Sequence, residues 1–217
     1  MNKYFAEGLG TFALVFAGTG AVIVNDISGG SITHVGIALT FGLIVMVMIY
    51  AVGNISGAHI NPAVTVAFFV GKRIDGGLVI PYLLSQFTGA ILASLVLRVL
   101  FPTHQTLGLT APAGSMWQSF LLEVILTFLL MFVILNVSTN GREEGMMAGV
   151  AVGGTVALEA LFAGPISGAS MNPARSLAPA MVSGHMEHLW IYLVATTLGA
   201  LLAYPACRMT QGKKCCS

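Results

Sequence analysis

Long apolar stretches separated by short polar ones dominate the hydropathy pattern of this 217-residue chain. A helix needs about 20 largely apolar residues to cross a bilayer, because each residue rises about 1.5 Å and the hydrocarbon core is about 30 Å thick. Six stretches reach that length. They predict membrane-spanning helices at residues 4–24, 34–53, 78–100, 117–138, 146–163 and 188–208.

Two further apolar segments are too short to cross a bilayer. Asn61 to Gly71 and Asn172 to about Ser183 are each about 11 residues long, or roughly 16 Å of helix. Both begin with Asn-Pro-Ala, in which Asn is a preferred N-cap and Pro is tolerated at the first helical position. We therefore predict two half-helices that enter from opposite faces and meet at their N-termini.

The two short segments belong to an internal repeat. Ser56–Thr65 (SGAHINPAVT) recurs as Ser167–Ser176 (SGASMNPARS), and the pattern Glu-x-x-x-Thr-Phe occurs at both Glu7 and Glu123. Each half contributes three spans, an odd number, so the second half must cross the membrane in the opposite direction. We predict an all-α membrane protein of six transmembrane helices and two re-entrant half-helices, forming a single domain (1–217) made of inverted repeats 1–110 and 111–217.

Composition supports a membrane protein and excludes several other classes. Hydrophobic residues make up 56% of the chain and charged residues 8%, far below the roughly 25% charge of soluble domains. A net charge of +1 does not fit a nucleic-acid-binding protein, and the chain has no glycine-rich nucleotide-binding motif. We expect no cofactor and no metal site. Cys207, Cys215 and Cys216 show no metal-ligand spacing, and we expect free thiols.

The distribution of basic residues predicts the orientation of the chain. Most of them fall on the side of the two termini, which the positive-inside rule assigns to the cytoplasm, whereas Arg98 and Arg175 fall towards the other side. Both termini are therefore expected to be cytoplasmic. The residues on the terminal side are Lys3, Lys72, Arg73, Arg142, Arg208, Lys213 and Lys214.

The two Asn-Pro-Ala boxes suggest the lining of a pore. The Asn61 and Asn172 amides would project towards the membrane centre, and the Ser-Gly-Ala segments before them would run as extended backbone whose carbonyls line a water-filled cavity. The N-terminus of each half-helix and Arg175 place positive charge there, which opposes cations. Such a lining suits water and small hydroxylated solutes.

The paired boxes, the Arg that follows the second box, and Glu7 and Glu123 resemble the aquaporin, or major intrinsic protein, family over nearly the whole chain. The resemblance implies a channel rather than an enzyme, with a pore in each subunit of a homotetramer embedded in the lipid of the plasma membrane. It implies a central constriction at Asn61, Pro62, Ala63, Asn172, Pro173 and Ala174, and an outer selectivity filter of Phe41, Ala160, Ala169 and Arg175.

The predicted filter favours a channel that is not restricted to water. Water-selective members of the family typically have His at the position of Ala160, and Ala169 is small as well. The wording of residues 163–175 is similar to the nodulin-26-like branch, which is known for water, glycerol and neutral metalloid conduction. Ser176 and Ala180 instead match water channels. We expect permeation of water, glycerol and neutral metalloid acids with exclusion of ions and protons; the alternative is a strictly water-selective aquaporin.

Four other polar residues lie within the apolar sequence. Glu7 and Glu123 recur in both halves, and we expect each to brace the unpaired backbone of a box segment. His59 either lines the cytoplasmic half of the pore or only braces its loop. Glu159, beside Ala160, either lines a vestibule or bonds to backbone or a neighbouring subunit.

Two other protein classes were compared with the channel. An intramembrane protease would use Ser170 or Ser56 as nucleophile and His59 as base, but no orienting third group is evident and catalysis gives no reason for two boxes. An ion-coupled transporter also uses broken helices in inverted repeats. It would need an acid near its substrate, for which Glu159 is the candidate.

Overall fold

The computed structural model describes residues 2–138, 142–212 and 215. Six of its helices are long and two are short, and the short ones are α3 and α7. In chain order they are α1 (Asn2–Ile27), α2 (Thr33–Ser56), α3 (Pro62–Val70), α4 (Gly76–Leu100), α5 (Met116–Val137), α6 (Arg142–Ser167), α7 (Pro173–Ser183) and α8 (Leu189–Gln211).

The six long helices confirm the predicted spans. Each is apolar and long enough to cross a membrane, so the chain is a multi-pass integral membrane protein. Their outer faces carry large apolar side chains that only a lipid environment would accommodate in such number. Examples, one from each helix, are Phe5, Leu43, Leu84, Leu121, Leu158 and Val194, which are 72, 52, 62, 61, 61 and 51% exposed.

The predicted end of the fifth span at residue 163 is wrong, because α6 continues through Pro165 to Ser167. Proline has no N–H group, so the carbonyl of Leu161, four residues earlier, has no donor within the helix. The imidazole Nε2 of His34 lies 2.7 Å from that carbonyl oxygen and takes the missing donor's place. A side chain from α2 thereby compensates for the bond that Pro165 removes.

The two short helices begin as predicted. Asn61 caps α3, its Oδ1 accepting from the backbone N–H of Ala63 at 2.9 Å. Asn172 caps α7, accepting from Ala174 at 3.0 Å and Arg175 at 3.3 Å. A capped N-terminus leaves fewer free N–H groups, which would be costly inside a membrane.

Glycines allow the long helices to cross at backbone contact. A Cβ atom at Gly89 on α4 would lie 2.0 Å from the carbonyl oxygen of Gly8 on α1. At the corresponding place in the second half, a Cβ atom at Gly199 on α8 would lie 2.3 Å from the carbonyl oxygen of Val124 on α5. Small residues at such crossings are the usual means of packing helices in lipid, where no hydrophobic force draws them together.

The expectation of free thiols is wrong for two of the three cysteines. Cys207, in the last turns of α8, forms a disulfide with Cys215, and their Cα atoms are 5.8 Å apart. The chain turns back after α8 at Gly212, which has a φ of 62°, and Arg73 binds the carbonyl oxygen of Cys215. This return path brings together two thiols that the sequence places eight residues apart; Lys213, Lys214 and Cys216 lie outside the described residues.

We expect Gly89→Ala to destabilise the protein by about 1–3 kcal/mol, the usual effect of inserting a methyl group into close packing. The contact is with backbone, which cannot rotate away. Gly154→Ala is the matched control, because a Cβ atom at Gly154 would meet no atom within 4 Å. Chemical unfolding of the purified protein in detergent measures both variants, and equal midpoints would contradict the prediction.

Candidate functional site

The segments that precede the two half-helices, residues 57–60 and 168–171, have irregular backbone with several left-handed residues. The prediction of extended backbone is therefore wrong. Three of the four residues of the first segment have left-handed backbone, with φ of 87° at Gly57, 46° at Ala58 and 42° at Ile60, so that His59 lies between two of them. Gly168, Ala169 and Met171 repeat the pattern with φ values of 84°, 41° and 54°. Such alternation turns neighbouring N–H groups towards one point and forms a concave anion-binding nest.

The Glu7 carboxylate occupies the nest of the first segment. Its Oε1 accepts from the N–H of His59 at 2.9 Å and from the hydroxyl of Ser56 at 2.7 Å. Its Oε2 accepts from the N–H of Ile60 at 2.7 Å and from the amide of Gln86 at 2.8 Å. All four donors are at hydrogen-bonding distance, so this fully buried acid stabilises backbone that cannot reach water.

Glu123 does the same for the second segment. Its Oε1 accepts from the N–H of Ser170 at 2.8 Å and the hydroxyl of Ser167 at 2.7 Å, and its Oε2 accepts from the N–H of Met171 at 3.0 Å. Left-handed backbone at a non-glycine residue costs about 1–3 kcal/mol, and charge-assisted hydrogen bonds offset that cost.

The two Asn side chains join the half-helices across the centre. The Asn61 Nδ2 donates to the carbonyl of Met171 at 2.7 Å, and the Asn172 Nδ2 donates to the carbonyl of Ile60 at 2.9 Å. Each amide has two N–H groups, so one remains to face the interior. Each Asn therefore caps its own helix, binds the opposite segment and still presents one donor.

A cavity of about 130 Å³ runs past these amides. Its polar wall comes from the two segments before the half-helices, the two Asn residues, Arg175 and Ser138, and the other lining residues are apolar. The apolar side chains come from α1, α2, α3, α5 and α6 and include Leu14, Phe41, Val45, Ile49, Phe68, Leu130, Ile134, Val152 and Val156.

Three of the four predicted filter residues line this cavity. Phe41, Ala169 and Arg175 do so, and the guanidinium carbon of Arg175 lies 4.9 Å from the centre of the Phe41 ring. Ala160 is buried in the same apolar cluster but is not among the residues that border the cavity. One Arg175 nitrogen, Nη1, donates to the carbonyl of Gly108 at 2.8 Å, which fixes the guanidinium from the loop between α4 and α5.

His59 contacts both the cavity and its own half-helix, so the two interpretations that the sequence left open are compatible. It borders the cavity, and its Nδ1 lies 3.1 Å from the Thr65 hydroxyl in the first turn of α3. The corresponding residues of the second half are Ser170 and Ser176, whose hydroxyls bond to each other, and Thr110 donates to Ser176 at 2.7 Å. Both segments are thus tied to their half-helix by a side-chain bond, in addition to the acid.

Glu159 lies apart from this network. It is 1% exposed, and neither of its carboxyl oxygens has a hydrogen-bond partner among the residues that the structure describes. The expected bond to backbone is therefore not present within the described part of the chain.

Sequence reasoning missed two tyrosines whose hydroxyl groups bind the backbone carbonyl just before each segment. Tyr82 donates from its hydroxyl to the carbonyl of Ser56 at 2.8 Å, and Tyr192 donates to that of Ser167 at 2.7 Å. A signal was available, because these tyrosines are 110 residues apart, nearly the spacing of the Asn-Pro-Ala boxes. Gly108 gave no such signal, since its contribution is a backbone carbonyl.

We expect Glu123→Gln to destabilise the protein by about 1–3 kcal/mol, because the new NH₂ group replaces one acceptor oxygen and leaves the buried N–H of either Ser170 or Met171 unpaired. Glu187→Gln is the matched control, since Glu187 is an exposed acid. Chemical unfolding in detergent measures the difference. A Glu123→Gln variant as stable as the control would show that the nest does not depend on the charge.

Comparison with known proteins gives relatives that match nearly the whole length of this chain. The aquaporin NIP1-1 of Oryza sativa subsp. japonica is 51% identical over 215 residues, which cover 97% of this chain and 76% of the relative. Nodulin-26 of Glycine max is 47% identical over 202 residues, which cover 93% of this chain and 74% of the relative.

A solved structure and a family comparison agree with these relatives. The X-ray structure of the aquaglyceroporin from Plasmodium falciparum superimposes with a TM-score of 0.85 at 25% identity, covering 97% of this chain and 95% of that one. Residues 1–205 match the family described as major intrinsic protein. With its two Asn-capped half-helices joined at the centre of six spanning helices, the chain belongs to the major intrinsic protein family, the family of the aquaporins.

Proposed function

We propose that the protein is a passive channel for water and small uncharged solutes such as glycerol. The observation that carries this proposal is the narrow cavity that passes both Asn amides and reaches Phe41 and Arg175. A few polar groups along an otherwise apolar wall replace the hydrogen bonds of one small molecule at a time. The names of the relatives, aquaporins and an aquaglyceroporin, support this class over an enzyme or a coupled transporter.

We assign the roles of the lining residues as follows. Asn61 and Asn172, with the Pro and Ala of each box, form the central constriction, and Phe41, Ala160, Ala169 and Arg175 form the outer filter. His59 lines the other half of the pore, while Glu7 and Glu123 hold the two segments in place. The recurrence of the same bonds in both halves supports inverted repeats of 1–110 and 111–217.

The small filter residues favour glycerol-sized solutes over strict water selectivity. Ala160 and Ala169 are 6 and 7% exposed, and the side chain of each is a single methyl group. A His at residue 160 would fill space at this level and add a polar group. Neutral metalloid acids, which are small and carry several hydroxyl groups, belong to the same solute class.

Exclusion of ions is part of the proposal. The Arg175 guanidinium is buried, 3% exposed, and two half-helix N-termini add partial positive charge at the centre. A cation would meet this charge without the water that screens it outside, and an anion would lose its hydration in an apolar-walled cavity.

We further propose a homotetramer in the plasma membrane with both termini in the cytoplasm. The exposed apolar faces of the long helices leave surface for neighbouring subunits as well as for lipid. Lys3, Lys72, Arg73 and Arg208 on the side of the termini support the orientation.

Stopped-flow light scattering on proteoliposomes tests the solute range. We expect the wild-type protein to accelerate both water and glycerol flux. Ala160→His should lower glycerol permeability at least about tenfold while water flux persists. The imidazole narrows the filter, so that a polyol no longer fits whereas water still passes.

Water flux in the same vesicles is the internal control for the amount of active channel. Wild-type vesicles that pass water but neither glycerol, urea nor boric acid would establish the strictly water-selective alternative. Equal glycerol flux in wild type and Ala160→His would show that residue 160 does not limit the pore.

We expect Arg175→Met to raise cation or proton leak at least about tenfold, because a full charge opposing cations at close range is removed. Arg98→Met is the control, since Arg98 lies at the end of α4 and binds the carbonyl of His104 at 2.7 Å. Ion flux is read with a pH-sensitive dye inside the vesicles under an imposed potential. Equal leak in the two variants would contradict the role of Arg175.

A further inference from the structure

Glu159 lies on α6 next to residues that border the cavity, although it is not itself one of the lining residues. Val152 and Val156 line that cavity, and residue 159 follows them by seven and three positions, which places it on the same side of the helix. The lipid side of α6 is marked instead by Leu158 and Phe162, which are 61 and 53% exposed. Phe162 is also three positions from Glu159, so the acid lies at the edge of the cavity-facing side, and its exposure of 1% shows that it is covered from the membrane.

The carboxyl group of Glu159 is buried without compensation. Glu7 and Glu123 each accept from several donors, whereas both oxygens of Glu159 lack a hydrogen-bond partner within residues 2–138 and 142–212. An unsatisfied buried polar group costs about 1–3 kcal/mol, and more if it is charged. In folded proteins the large majority of such groups are paired, either within the chain or with another molecule.

Among the described residues, no side chain offers such a bond. Glu123, a nearby acid, is occupied by the second segment and repels a second carboxylate. Arg175 donates a hydrogen bond to the carbonyl of Gly108, and no ion pair joins it to Glu159 within the described segments. In the conformation described, both oxygens have almost no accessible surface, so the carboxyl group must rotate before any other molecule can bind it.

A molecule in the pore becomes a partner if the carboxyl group rotates towards the cavity. A Glu side chain has three rotatable bonds, and its neighbours on α6, Ala160 and Ala163, each present only a methyl group. Rotation past such small neighbours moves the carboxyl group to the cavity. No larger side chain at these positions blocks the movement.

We propose that Glu159 is a further specificity-determining residue, which turns towards the pore and accepts hydrogen bonds from the hydroxyl groups of a polyol. The inference rests on the proposed function, in which such solutes permeate. The predicted filter has one side-chain donor group, Arg175, which binds the oxygen atoms of a solute. Glu159 supplies the acceptor for its hydroxyl hydrogens, so a molecule with several hydroxyl groups gains more than water does.

The test compares glycerol and water permeability of wild type and Glu159→Leu in proteoliposomes. The ratio of the two permeabilities does not depend on how much protein folds, so a purely structural role of Glu159 would leave it unchanged. We expect Glu159→Leu to lower the ratio by about three- to tenfold, the effect of losing one hydrogen bond. Glu159→Gln keeps a carbonyl acceptor and should restore most of the ratio, and Glu187→Leu, which removes an exposed acid, should leave it unaltered.

Infrared difference spectra provide a second measurement that does not need the Leu variant to fold. Wild-type proteoliposomes in glycerol, compared with an osmotically matched sucrose solution, should show a shifted carboxyl band that is missing in Glu159→Gln. A wild-type spectrum without such a shift would overturn the inference.

The outcomes separate the two proposals. Wild-type vesicles without glycerol uptake would contradict the proposed solute range and, with it, this role of Glu159. Wild-type uptake of glycerol together with an unchanged permeability ratio in Glu159→Leu would overturn the role of Glu159 alone.

Discussion

Two buried carboxylates, one in each half, make the centre of this protein possible. The segments before the half-helices have left-handed residues and backbone N–H groups that cannot reach water, a combination that is unstable inside a membrane. Glu7 and Glu123 bind those N–H groups from behind. Because the donors are taken on one side, the acceptors of the same segments remain for the cavity on the other.

The remaining central contacts depend on this arrangement. Asn61 and Asn172 can each bind the carbonyl of the opposite segment only if both segments are held at the right height. The tyrosine hydroxyls and the bonds of His59 and Ser170 to the half-helices add rigidity. The first segment has an imidazole where the second has a hydroxyl, so a nearly symmetric frame produces an asymmetric lining.

Much of this was predictable because it follows from short-range rules. Composition and helix geometry predict the length of the spans and the capping by Asn61 and Asn172. The repetition in the sequence shows that Glu7 and Glu123 occupy equivalent positions. The left-handed backbone of residues 57–60 could not be predicted, because non-glycine residues prefer extended backbone locally. The bonds that favour the left-handed conformation come from Glu7, which is distant in sequence. The same limit applies to His34 with Leu161 and to Cys207 with Cys215, where the decisive partner is remote or the chain reverses direction.

The bond between Arg175 and the carbonyl of Gly108 has a consequence for how such proteins diversify. Among the described residues, Arg175 is the one guanidinium that borders the cavity, and it is positioned by a connecting loop and not by a spanning helix. Two paralogues with the same four filter residues can therefore hold that group at different depths. Classification of solute preference from those four residues alone would treat them as identical, although their loops make them different channels.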